Sequence, residues 1–211
     1  MQYIIVGLGN PGVQYEETRH NMGRIIVEAF RVKNNFSDWS LDKEQKVLTS
    51  RGLYGKDKII LLLPNNFMNV SGKSIASFIK NSKDAERTIV VYDDLDLALG
   101  ILRISFNRGS GGHKGVESII KEIRTPAFIR LRMGITPTTP GGKLKKPTSD
   151  TAVIDFIIGQ FKKEDLVILK KVTKGGVEAL TLILDSGYEK AMGIVNSGGN
   201  KKNKKYPLTP S

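Results

Sequence analysis

The sequence predicts a single α/β domain: a twisted mixed sheet with parallel central strands and helices on both faces. Two observations carry that reading. Three unbroken apolar runs, QYIIVG at 2–7, KIILLL at 58–63 and TIVVY at 88–92, lack the alternation of a half-exposed strand and describe strands buried on both faces. Segments with apolar residues at helical spacing fall between and after these runs and supply the covering layers. A chain of 211 residues is of single-domain size, and no internal repeat divides it.

The first run, Gln2 to Gly7, opens into the glycine-rich LGNPG, a loop at the carboxyl end of a strand. Met22, Ile25, Ile26, Ala29 and Phe30 then mark a helix that starts near His20. Val47 to Leu53 reads as an edge strand. KIILLL ends at Pro64 and leads to a helix through Val70, Ser74, Ile75, Phe78 and Ile79. TIVVY is closed by acidic residues. Ile101 to Ser105 and Ile129 to Ile135 alternate and add further strand-like segments, with a helix through Val116, Ile119, Ile120 and Ile123 between them. Thr136 to Ser149, rich in Pro, Gly and Lys, is expected to be a mobile surface loop. Ile168, Leu169, Val172, Leu180, Ile183 and Leu184 describe a last helix that Gly175-Gly176 should weaken or kink. Residues 1–196 form the expected domain, and 197–211, with Lys201, Lys202, Lys204 and Lys205, a flexible basic tail.

Composition narrows the chemistry. With no cysteine, disulfides, thiolate catalysis and zinc–sulfur sites are excluded, and two histidines, His20 and His113, leave little for a metal centre. No apolar run approaches the roughly 20 residues that span a bilayer, and the opening MQYIIVGLGN lacks the pattern of a signal peptide, so a cytoplasmic protein is expected. A formal charge of +12 favours a polyanionic partner, nucleic acid above all, and the chain stays basic when the four tail lysines are set aside.

Three polar clusters follow the apolar runs. Gly7 to Gly12 satisfies G-x-G-x-x-G, but Asn10-Pro11-Gly12 reads as a turn rather than a helix start, which argues against a dinucleotide site. Asn69 follows KIILLL at a position where it could simply cap a helix, and Phe67 and Met68 beside it could be ordinary core. Asp93, Asp94 and Asp96 invite a magnesium site, yet the other strand ends offer amides and one histidine instead of further carboxylates.

Loops at the carboxyl ends of parallel strands converge on one crevice, where Asn10, His20, Asn69 and Asp93 could meet. A carboxylate on one imidazole nitrogen fixes the tautomer and supports the imidazolium, while the other nitrogen takes a proton from water. Amides can hold a carbonyl and its developing oxyanion. With no serine in a nucleophile elbow, direct attack by water on an ester fits this apparatus.

The motifs VGLGNPG, YEETRHNMG, FMNVSGKSI, DDLDLALG and GGHKGVESII resemble, in order and spacing, those of the bacterial peptidyl-tRNA hydrolase family, over roughly Tyr3 to Phe161. The resemblance implies a monomeric enzyme that cleaves the ester between a peptide and the tRNA 3′ ribose without a metal or other cofactor. It implies His20 as base, Asp93 as its orienting partner, and Asn10 and Asn69 as substrate-positioning groups. Tyr15, Phe67 and Met68 fall at contacts for the peptide and the tRNA 3′ end, His113 at a binding loop, and Arg132 at a basic position that holds tRNA phosphate. Two departures concern binding: Lys114 stands where the family commonly has Asn, and Ser105 where it often has Lys. Lys114 is expected to meet a 3′-end phosphate, with Arg103 and Arg108 replacing charge at position 105. A non-catalytic RNA-binding protein of the splicing type is the main alternative reading, and a ribonuclease using both histidines a weaker one.

Overall fold

The computed structural model describes residues 1–161 and 165–198. Strands β1 (Gln2–Gly7), β2 (Ser40–Asp42), β3 (Val47–Tyr54), β4 (Asp57–Pro64), β5 (Thr88–Ala98), β6 (Leu102–Phe106) and β7 (Ile129–Thr136) form one sheet ordered β2-β3-β4-β1-β5-β7-β6. β4, β1, β5 and β7 run parallel, and β2, β3 and β6 join antiparallel at the two sides. This is the mixed sheet expected. The chain leaves β1 toward β4 on one side and returns to β5 on the other, which opens a crevice at the carboxyl ends of these strands.

The apolar runs are buried on both faces for the reason their composition suggested. Ile5, Ile59, Leu61, Ile89 and Val91 point into a core closed by α1 (Met22–Lys33) and α6 (Leu166–Ser186). Ile4, Val6, Ile60, Leu62 and Val90 point the other way, into a core closed by α2 (Ser71–Ile75) and α4 (Lys114–Ile123). Each fully buried Ile or Leu removes enough apolar area to contribute about 1.5–3 kcal/mol before entropy is counted. The remaining helices are α3 (Ser82–Glu86), α5 (Asp150–Ile158) and α7 (Tyr188–Asn196).

Several elements differ from expectation. Val47–Tyr54 is not the edge, because the short β2 pairs outside it. The acidic residues do not end β5: Asp93 and Asp94 stay in register with Met133 and Gly134 of β7, and the irregularity comes between Asp94 and Ala98. The helix after β4 is broken into short α and 3₁₀ turns. Gly175-Gly176 does not interrupt α6; both glycines are buried, and a Cβ on Gly176 would come within 2.5 Å of Ile26 on α1, so the pair serves close helix packing. The 136–149 loop carries an internal bridge between Thr138 and Leu144 and an exposed Lys146–Asp96 ion pair.

At the outer side of the sheet, the Asn196 side chain does the work of a neighbouring strand. Its Oδ1 accepts the Ile104 backbone N–H at 2.8 Å, and its Nδ2 donates to the Ile104 carbonyl at 2.9 Å. The proposed basic tail at 197–211 lies outside the described residues beyond Gly198.

Candidate active site

Local sequence places His20 before it gains any function. After β1 the chain makes a 3₁₀ turn at Val13–Tyr15 and another at Arg19–Asn21, and α1 follows at once. Gly23 lets that helix end press onto the sheet: a Cβ there would lie 2.2 Å from the Val91 carbonyl oxygen and 2.6 Å from the Leu8 nitrogen. The close approach sets His20, only 7% exposed, beside Asp93 of β5, 2% exposed. His20 Nδ1 lies 2.9 Å from Asp93 Oδ1 and 3.1 Å from Oδ2.

A second histidine meets the same carboxylate. His113 is the N-cap of α4, its Nδ1 accepting the Val116 backbone N–H at 3.3 Å while Nε2 lies 3.2 Å from Asp93 Oδ1. Its ring lies 4.7 Å from that of Tyr92 and 5.2 Å from that of His20. The potential ligand atoms of His20, Asp93 and His113 lie within 4.8 Å of one another. Hydrogen bonding already engages them: one imidazole nitrogen of each ring faces Asp93, and the other nitrogen of His113 is taken by α4.

These contacts set the electrostatics. Burial pulls the His20 imidazolium down, but the charge of Asp93 and its hydrogen bond outweigh that pull, and His20 sits above its ordinary value of 6.5. Burial would raise Asp93, yet His20 and His113 hold it well below the usual carboxylate range. Burial, assisted by Asp94, pushes the Tyr92 phenol up to about 12. The centre therefore holds an ionised carboxylate and a titratable base.

Asn10 sits on the opposite loop. Its Oδ1 accepts the Met68 backbone N–H at 2.9 Å, so the loop after β1 is tied to the turn after β4. Asn21 clasps it from below, accepting the Asn10 N–H at 2.8 Å and donating to the Asn10 carbonyl at 2.9 Å. Asn69 is exposed in the 3₁₀ turn Met68–Val70; the N-cap position of α2 is Val70, so capping does not account for Asn69. Met68 is buried, Tyr15 half-buried, and Phe67 61% exposed on the same rim.

A cleft of about 1290 Å³ runs from His20, Asp93 and His113 past Lys114 and Arg132 to Asn196. Its lining does not include Asn10, Tyr15, Phe67, Met68, Asn69 or Arg103, so the candidate residues separate into a cleft group, a rim group on the loops after β1 and β4, and Arg103 of β6, which belongs to neither. Arg132 donates from Nη1 to Asp94 Oδ2 at 3.0 Å, and its Nε is buried without a partner among the described residues. Lys114 is exposed and pairs with Glu117 at 3.3 Å, a surface contact worth about 0–1 kcal/mol and readily exchanged. Arg103 donates to the Asn196 carbonyl at the end of α7, so of the two arginines near Ser105 it is Arg108 that lines the cleft.

Sequence reasoning assigned Asn21 no role and weighed Asp94 only as a magnesium ligand, not as the partner of Arg132. Asn21 stands next to His20 and could have been found by asking what anchors a proline-containing loop. Asp94 pairs in register one step beyond Asp93, a relation that only the continuation of β5 reveals.

The chain has known counterparts. The family profile described as peptidyl-tRNA hydrolase matches residues 4–205. The peptidyl-tRNA hydrolase of Pseudothermotoga lettingae is 41% identical over 199 residues, covering 92% of this chain and 96% of that protein. That of Desulfitobacterium hafniense is 37% identical over 196 residues, covering 92% and 98%. The crystal structure of peptidyl-tRNA hydrolase from Acinetobacter baumannii superposes with a TM-score of 0.81 at 31% identity, over 92% of this chain and 94% of that one. A histidine–carboxylate pair in the crevice, a profile that spans nearly the whole chain and relatives alike in length and fold agree: this chain belongs to the peptidyl-tRNA hydrolase family.

Proposed function

We propose that the enzyme hydrolyses the ester joining a peptide to the 3′ ribose of tRNA by direct attack of a water that His20 deprotonates. The observation that carries this reading is the His20–Asp93 pair at the cleft: with Nδ1 directed at the carboxylate, Nε2 is left with its lone pair to receive a proton. As the proton passes to Nε2, the water oxygen bonds to the ester carbonyl carbon. Collapse of the tetrahedral intermediate breaks the bond to the ribose oxygen, which takes the proton back from His20, leaving tRNA with a free 3′ end and a peptide carboxylic acid that ionises by releasing its proton to solvent.

Asn10 spends Oδ1 on Met68, so its NH₂ is the group offered to a substrate carbonyl. Asn69, exposed on the same rim, reads the peptide amide that a free aminoacyl-tRNA lacks. Phe67, Met68 and Tyr15 border the peptide and 3′-end path, while Arg132, Lys114 and Arg108 meet phosphate and Arg103 adds to the surrounding positive field. The enzyme acts as a cytoplasmic monomer, with 1–196 as the catalytic unit and 197–211 as an electrostatic aid. Among the described residues no helix is long and apolar enough to cross a membrane.

Incubation with N-acetyl-aminoacyl-tRNA tests the reading. Release of acyl-amino acid with intact tRNA is the expected result, and His20→Ala is expected to lose at least about 10²-fold in kcat while RNA affinity stays near wild type. Near-normal turnover by that variant overturns the assignment of the base.

A further inference from the structure

We propose that His113 is a positioning residue for hydrolysis: helix α4 locks its tautomer, and the locked ring fixes the Asp93 carboxylate that orients His20. The proposal rests on the reading of His20 as base, and it assigns His113 a task other than contact with substrate.

The argument starts from one hydrogen bond. The first turn of a helix has backbone N–H groups without intrahelical acceptors, and one of them, Val116 N–H, points at His113 Nδ1 at 3.3 Å. An N–H needs a lone pair, so Nδ1 is unprotonated and the ring proton sits on Nε2. Nε2 lies 3.2 Å from Asp93 Oδ1 and therefore donates to it. The cap thus determines which ring atom carries the proton, and the proton determines that the second contact to Asp93 is a donated bond.

The geometry around the carboxylate makes that bond consequential. His20 Nδ1 straddles Asp93, at 2.9 Å from Oδ1 and 3.1 Å from Oδ2, so a small rotation of the carboxylate changes the direction of the imidazole. Oδ1 is shared by both histidines, so the His113 bond restrains the rotation as well. His113 itself is held by its ring contact with Tyr92, 4.7 Å between centroids, and Gly115 behind it leaves room for Met68, to whose Sδ a Cβ would come within 2.5 Å.

The charged and titratable groups around this centre come from every neighbouring element. β5 contributes Tyr92, Asp94 and Asp96, β7 contributes Arg130 and Arg132, Arg108 comes from the loop before α4, Lys146 from the loop after β7, Asp150 from α5 and Glu189 from α7. α4 contributes Lys114 and Glu117, and Arg19 precedes His20 in its turn. Asp94 and Asp96 are paired to Arg132 and Lys146, and Lys114 to Glu117, so the uncompensated contact with Asp93 is made by the two imidazoles.

Two substitutions separate the cap from the donor, because Asn places its oxygen near the position of a histidine Nδ1 and Gln places its NH₂ near that of Nε2. His113→Asn keeps the helix cap and loses the bond to Asp93. His113→Gln keeps the bond and loses the cap. We expect His113→Asn to keep the wild-type Tm while kcat falls roughly 10-fold and KM changes less than about twofold. Its acid limb of kcat/KM moves up by about half a pH unit, since Asp93 then shares its charge with one donor fewer and acts more fully on His20. His113→Gln is expected to regain at least about fivefold of the lost kcat and to return the limb toward wild type, with a Tm lower by about 2–4 °C from the missing cap.

Other outcomes overturn the proposal. Normal turnover by the Asn variant with impairment of the Gln variant makes the cap the whole role of His113. A raised KM with unchanged kcat makes it a substrate contact. Equal loss in both variants, with the limb unmoved, assigns the effect to the ring itself, and wild-type behaviour in both removes any role. In the wild-type enzyme, nitrogen-15 spectra of the imidazoles provide a check that needs no variant: a His113 proton found on Nδ1 refutes the lock. Failure of the base assignment is separate, and is seen only as turnover by His20→Ala.

Discussion

Asp93 is a buried carboxylate at the meeting point of two imidazoles, and its removal is expected to lower both the rate and the pH at which His20 titrates. In Asp93→Asn the charge that raises His20 is gone while burial, which lowers it, remains. The acid limb of kcat/KM is therefore expected to move below 6.5, with kcat down roughly 10²-fold or more because the ring loses its fixed tautomer. A limb that stays above 6.5 in this variant contradicts Asp93 as the source of the shift. At this scale the sequence showed the chemistry more readily than the support. Asn10 and Asp93 stood out because they follow apolar runs, and His20 because it stands at the helix start after the first run; parallel strands deliver such loops to one place. Asn21 was not legible, since its value lies in two backbone groups of Asn10 that come near only after the turns form. His113 was read as a binding residue because nothing in GGHKG tells which nitrogen the helix will take.

Among the elements, the approach of α1 to the sheet carries the site. Gly23→Ala should destabilise by about 3 kcal/mol and lower turnover with it, because the added methyl meets the Val91 and Leu8 backbones, which cannot yield as a side chain would. Denaturant unfolding checks the first effect. By contrast, Ser149→Ala removes only the side-chain acceptor for Ala152 N–H at the start of α5 and should cost about 1 kcal/mol. The buried strands and α1, α4 and α6 were legible from their periodicity. α5 was not, because TAVIDFII is apolar on nearly every side and presents no stripe, with Ile154 and Ile158 exposed. The continuation of β5 through two aspartates was equally hidden: pairing with β7 outweighs the poor strand propensity of Asp, a tertiary effect that a local reading does not contain.

For the molecule as a whole, the same groups link stability to pH in two windows. Asp93 is depressed in the fold, so its contribution is present above its ordinary value of 3.8 and is lost as pH falls through its lower folded value. His20 is raised, so its contribution is present below 6.5 and fades as pH rises through its folded value. Urea midpoints should fall on the acid side in the wild type and fall less steeply in Asp93→Asn. The basic surface sets a second dependence. Lys114→Asn is expected to reduce the log–log salt slope of tRNA affinity by roughly one, as loss of a single phosphate contact requires, and an unchanged slope refutes that contact. Truncation after Asn196 should weaken binding at low salt with Tm unaltered.

The amide of Asn196 also bears on how the enzyme behaves at high concentration. A sheet that ends in a bare strand invites a second molecule to extend it, and growth by that route leads to aggregates. Here Ile104 already has its outward N–H and carbonyl satisfied by a side chain from the same polypeptide, and the opposite border is a strand of only three residues, Ser40–Asp42. Asn196→Ala would reopen one border, and light scattering at rising protein concentration would detect the self-association that a single amide now forestalls.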